Sequence, residues 1–225
     1  SSGSAALVAA KEVDMAMGGD QGGSIRMPAS YCGIYGMKGT HGLVPYTGIM
    51  PIEVYVDHTG PMTDTVEDNA VLMEVIAGED GYDPRQYNVK TARYTQALQG
   101  AKGLKGMKIG VIKEGYEAEN AESDVNAKVR AAVKQLQSMG AKVKEVSIPM
   151  HALGGVLWMP IGIEGLTQTM MHGDGYGVSR PDLYVTSLMD KHRGWRERAD
   201  EMSETTKLLT MIGTYIKKQH GSRYY

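Results

Sequence analysis

Phenylalanine is absent from all 225 residues, and cysteine occurs once, at Cys32. A single cysteine excludes an internal disulfide and fits a reducing compartment, so a cytoplasmic protein is expected. No apolar run reaches the roughly 20 residues of a membrane helix. No basic start followed by an apolar stretch marks a secretory leader. Excess charge of either sign is missing too. The net charge of −2 argues against nucleic acid or an anionic membrane as a partner. The six histidines show neither His-x3-His nor His-Glu-x-x-His spacing, so no metal is expected. With only two Trp and no Phe, the 16 Met are expected to fill core gaps.

Glycine is plentiful, at 29 residues, and it concentrates where chemistry is most readily built. The stretch Gly18-Gly19-Asp20-Gln21-Gly22-Gly23-Ser24-Ile25-Arg26-Met27-Pro28 follows an alternating run, Val13 to Met17. That order predicts a strand, a Gly-rich turn and a serine at the start of the next element. Such a turn lets backbone N–H groups converge on an anion or a developing oxyanion.

Around it the pattern predicts an α/β fold. A helix is expected over 5–11 and strands over 13–17, 34–38 and 43–45. Residues 57–62 are expected to turn. A helix begins at an N-cap Thr65 with Asp68 three residues on, and stops at Gly78. Residues 81–106 read as a polar surface crossing with a short helix near 91–98. Strands over 107–112 and 143–148 flank an amphipathic helix over 123–139, the pattern of a parallel pair. Residues 153–172, 181–192 and 195–219 read as helices.

Rival glycine motifs fail at this turn. A P-loop has Lys where Ser24 stands. The Gly-x-Gly-x-x-Gly spacing of a dinucleotide site is absent. An esterase elbow needs Gly after Ser-x, and Arg26 is there instead. By itself a Gly-rich turn is more often structural than functional. Here Asp20 and Arg26 flank the serine closely enough to pair across the loop, and Pro28 fixes the chain beyond it. A serine held this way is no linker.

The residues then match something specific. Ser1-Ser2-Gly3-Ser4-Ala5-Ala6-Leu7, Gly19 through Ala29, Cys32 through Pro45, Asp57-His58-Thr59-Gly60-Pro61-Met62 and Thr65-Val66-Glu67-Asp68 with Ile76-Ala77-Gly78 resemble the amidase signature family. The match is strong over about residues 1 to 115 and looser beyond. Gly-Asp-Gln-Gly-Gly-Ser and Val44-Pro45-Tyr46-Thr47-Gly48 are most similar to the bacterial amidases that act after nitrile hydratases.

The resemblance implies an α/β fold with a mixed twisted β-sheet covered by helices on both faces, residues 1–225 being part of one domain. It implies hydrolysis of small aliphatic or aromatic primary amides to acid and ammonia through a Ser–cis-Ser–Lys mechanism. No metal or organic cofactor is implied, and the full-length protein could be a homodimer. Ser24 corresponds to the nucleophile that forms the acyl-enzyme. Gln21, Gly22, Gly23 and Ser24 supply oxyanion N–H groups, and Asp20 and Arg26 brace the loop.

Two departures qualify this. The family has two glycines after its paired serines, but only Gly3 precedes Ser4 here. With one glycine deleted, Ser1 is the relay serine; without a gap, that serine falls ahead of residue 1. The family's lysine also lies upstream, and Lys11 and Lys38 stand at other positions. The chain is therefore expected to be a middle portion of a longer protein, inactive alone. Two further functions stay open: a glutaminase-type component of a tRNA-dependent amidotransferase, and a non-catalytic anion-binding module.

Elsewhere, Asp57 is a candidate loop brace and His58 a structural turn residue. Cys32 reads as a small buried side chain. Glu164 and residues 172–177 either border the substrate pocket, as the family implies, or form a helix-end turn. Met159, Met170 and Met171 either line an acyl pocket or fill the core. The charged run 191–204 reads as a solvated helix face.

Overall fold

The computed structural model of the chain describes residues 1–100, 103–116, 118, 120–177 and 180–225. It is α/β, in two compact units: residues 1–99 with 158–225, and residues 100–157. Among the described residues, no helix is long and apolar enough to cross a membrane.

The first unit opens with α1 (Ser2–Ala9), β1 (Met15–Asp20), α2 (Arg26–Cys32), β2 (Tyr35–Gly36) and β3 (His58–Thr63). The three strands form an antiparallel sheet in the order β1-β3-β2. Residues 57–62, expected to turn, thus supply the central strand. The Gly60-Pro61 pair that suggests a turn is tolerated for two physical reasons. The Pro61 carbonyl accepts from Met37 N, so its backbone faces β2, which is only two residues long. There the N–H that proline lacks breaks no extended ladder. At Gly60 a Cβ would lie 2.2 Å from the Met37 carbonyl oxygen, so a side chain has no room.

Other boundaries also shift. β1 starts two residues late and runs through both glycines to Asp20, while α1 starts three residues early. β2 is shorter than its expected span, and residues 43–45 form no strand.

The sheet buries a cluster of Ala5, Ile25, Ala29 and Met62, against which Cys32 packs. Ile25 is fully buried. Its side chain fills space left by Gly18 on β1 and Gly36 on β2, where added Cβ atoms would lie 2.9 Å from it. Close packing of this kind leaves the residue after Ser24 no freedom to shift.

Helix α3 (Val66–Ile76) begins as expected: the Thr65 hydroxyl accepts from Asp68 N at 3.0 Å. Helix α4 (Tyr94–Gln99) lies in the polar crossing, whose residues 101–102 are outside the described residues.

The second unit pairs β4 (Lys108–Ile112) with β5 (Lys142–Val146) in parallel, with α5 (Ser123–Ser138) between them in sequence. β4, expected to be buried, leaves Lys108 and Gly110 exposed because its sheet has only two strands. Antiparallel and parallel pairing therefore occur in different sheets.

The predicted helix over 153–172 is built in pieces. A 3-10 turn precedes α6 (Gly154–Gly165), which contains Pro160, and a π-helical stretch, Leu166–His172, follows. The last two helices are α7 (Thr186–Arg193) and α8 (Glu204–His220), with 3-10 turns between them.

Candidate active site

β1 delivers Asp20, 1% exposed, to the start of the loop. Its carboxylate organises everything up to α2. Oδ1 accepts from Gly23 N at 2.7 Å and Arg26 Nη2 at 3.0 Å. Oδ2 accepts from Ile25 N at 3.1 Å and Arg26 Nε at 3.0 Å. Burial pushes the Asp20 carboxyl up, but the Arg26 guanidinium and the two N–H donors outweigh it and hold the carboxyl below its usual range. Asp20 and Arg26 thus pair across the loop through two parallel bonds.

A second acid supports the same loop. Gln21 Nε2 donates to Asp57 Oδ1 at 2.9 Å and to the Tyr46 hydroxyl at 3.1 Å. Asp57 also accepts from Ile52 N and Glu53 N, so it braces the loop as expected. Burial pushes the Asp57 carboxyl up, against those bonds. Tyr46 is set by Asp83, which accepts from Tyr46 N at 2.9 Å, and by Arg85, whose guanidinium lies 5.3 Å from the ring centroid.

A third hold comes from α6. Trp158 Nε1 donates to the Gln21 carbonyl at 2.8 Å.

Ser24, half-buried, opens onto a cavity of about 280 Å3. Gln21 and Gly22 share its rim. Its walls include Met27, Ile52, Val56, Trp158, Ile163 and Leu166. Among the described residues, the Ser24 hydroxyl and the N–H groups of Gln21, Gly22 and Ser24 have no hydrogen-bond partner. Gly23 differs from expectation, because its N–H is used by Asp20. Its φ of +128° is what turns that N–H toward the carboxylate. Three N–H groups, rather than four, are thus free beside the serine.

Ser1 lies apart in its bonding. Its hydroxyl accepts from Gly19 N at 2.9 Å and donates to Gly19 O at 3.0 Å, and no hydrogen bond joins it to Ser24 among the described residues. Lys11 pairs with Asp64, and Lys38 Nζ donates to Gly39 O.

Among the described residues the one charged group on the cavity lining, Glu53, is fully buried, and its carboxylate accepts from Tyr55 N, Val56 N and the Tyr225 hydroxyl. Glu164 is buried with Lys217 3.7 Å away. Met171 fills the core, whereas Met159 is exposed. No cluster of metal-ligating side chains occurs among the described residues.

Trp158 and Tyr46 are the supporting residues that sequence reasoning missed. The signal for Trp158 was faint: an aromatic residue with Gly162 one turn further on, which leaves a helix face flat.

A family model described as Amidase matches residues 1–225. The chain belongs to the amidase family. It is 42% identical over 227 residues to an enantioselective amidase of Rhodococcus rhodochrous, covering 100% of this chain and 43% of that protein. It is 41% identical over 228 residues to a glutamyl-tRNA(Gln) amidotransferase component of Exiguobacterium sibiricum, covering 100% of this chain and 46% of that protein. Among solved structures, the glutamyl-tRNA(Gln) amidotransferase component from Thermotoga maritima superposes with a TM-score of 0.70 at 32% identity, over 96% of this chain and 43% of that one. A bacterial aryl acylamidase of the amidase signature family superposes at 0.63 with 26% identity, over 96% and 44%. This amidase-family chain therefore spans less than half the length of the relatives it matches.

Proposed function

We propose that the full-length protein hydrolyses small aliphatic or aromatic primary amides to the acid and ammonia, with Ser24 as nucleophile. The observation that carries this reading is the Ser24 hydroxyl on an apolar cavity, beside three N–H groups, all without hydrogen-bond partners among the described residues. A general base takes the hydroxyl proton as Ser24 Oγ bonds to the amide carbon. The carbonyl oxygen becomes an oxyanion, and the N–H groups of Gln21, Gly22 and Ser24 receive it. Collapse breaks the C–N bond, and the proton leaves with ammonia. Water then attacks the acyl-serine, releasing the acid and restoring the hydroxyl.

The base in this proposal is the family's lysine, contributed from upstream of this segment. A relay through Ser1 requires its pair of bonds to Gly19 to open. Amides released by nitrile hydration have the right size and chemistry as substrates.

The second reading, a glutaminase-type component of an amidotransferase, draws on the 41% identity to the Exiguobacterium protein. The walls here favour the first. Glutamine carries a charged amine and a charged carboxylate, and among the described residues the only charged one on this lining, Glu53, is already occupied.

Turnover of benzamide, propionamide and glutamine by the full-length protein separates the two. The first reading predicts amide turnover that Ser24→Ala abolishes, together with labelling by a serine-directed phosphonate. Turnover of glutamine alone overturns it in favour of the second.

A further inference from the structure

The Gln21 carbonyl and the Gly22 N–H are the two ends of one peptide group. A peptide group is planar, so fixing one end fixes the direction of the other. Trp158 Nε1 holds the carbonyl end at 2.8 Å. Tyr46 and Asp57 hold the Gln21 side chain at the same residue. Among the described residues Gly22 N–H has no acceptor, on the rim it shares with Ser24.

The indole also fits where little else would. It lies against two glycines: a Cβ at Gly22 would come within 2.9 Å of its Cζ2, and a Cβ at Gly162 within 2.7 Å. The benzo edge of the indole thus has room because the loop and the helix each carry glycine there.

We infer that Trp158 is a positioning residue, setting the Gly22 N–H to receive the oxyanion while its ring forms a wall of the acyl cavity. This rests on the Ser24 reaction proposed above. The Trp158 N–H acts on the transition state only through the peptide it holds. Its hydrogen bond therefore affects kcat, whereas its ring affects KM.

The experiment uses the full-length protein and separates those two contributions. Trp158→Phe keeps an aromatic wall and removes the donor. Removing an oxyanion donor outright lowers kcat about 10²–10³-fold; a donor that is present but unheld should lose less, about ten- to a hundredfold. KM should stay within about threefold. Affinity for an aryl boronic acid, which forms a tetrahedral adduct on Ser24, should fall in step with kcat, and affinity for the carboxylate product should not change. Trp158→Ala should additionally raise KM.

Should Trp158→Phe fail to fold, position 158 is filled with β-(3-benzothienyl)alanine, which has the shape of the indole with sulfur in place of N–H. The same fall in kcat is expected. A kcat within twofold of the parent in whichever variant folds, with Ser24→Ala inactive, overturns the positioning role and leaves the Ser24 reaction standing. Full turnover by Ser24→Ala overturns the reaction itself.

Discussion

Arg26 grips both oxygens of Asp20, Nε to Oδ2 and Nη2 to Oδ1, each at 3.0 Å. The two partners are unequal. Asp20 is 1% exposed, while the Arg26 side chain is 53% exposed. The carboxylate also satisfies two buried loop N–H groups that have no other acceptor among the described residues.

Asp20→Ala therefore strands those donors, and each costs about 1–3 kcal/mol. Arg26→Lys keeps the charge, loses the fork and leaves a half-exposed ammonium that water can solvate. It should cost less than about 1 kcal/mol. Urea unfolding of the two variants beside the parent checks this order; equal losses would mean that the guanidinium, not the N–H set, is what Asp20 serves.

Acid should weaken the fold in two windows. The Asp20 carboxyl sits below its ordinary value when folded. The unfolded chain therefore takes up that proton first, near pH 3.9. Its contribution is full above that pH and is lost as pH falls through the folded value. Burial likewise pushes the His58 imidazole down, so its contribution is full above about 6.5 and falls away below. Unfolding free energy measured from pH 8 to 3 should drop in both ranges, and Asp20→Asn should flatten only the lower one.

Gly60→Ala should cost at least about 2 kcal/mol, because the new methyl meets a backbone carbonyl 2.2 Å away rather than a movable side chain. Gly3→Ala, with nothing within 4 Å, should be neutral or slightly stabilising within its helix. Thermal melting of the two variants tests the contrast.

Thr65→Ala removes the acceptor for Asp68 N at the head of α3, and about 1 kcal/mol of stability should go with it. Thr65→Ser keeps the oxygen and should recover most of that loss in the same denaturation experiment.

The Gly-rich loop was legible because its parts are neighbours in sequence. Asp20, Gly23 and Arg26 interact across six residues at most, so turn chemistry and charge suffice to read them. Asp57 was legible as a brace, though its bonding partner was not. Trp158 acts across 137 positions, and nothing in a helical apolar stretch says which side chain will meet a distant carbonyl. β3 was misread for a related reason. Gly60-Pro61 favours a turn locally, but pairing with strands on both sides overrides that preference. The division of the strands between two sheets depends on contacts between segments that no periodicity records.

The indole packed against Gly22 and Gly162 bears on redesign. Widening the cavity by trimming Trp158 also releases the Gln21–Gly22 peptide beside Ser24, and filling either glycine displaces the ring. In the proposed reaction selectivity and turnover share one part, so variants selected for bulkier substrates should be slower ones unless a new donor to the Gln21 carbonyl is introduced with them.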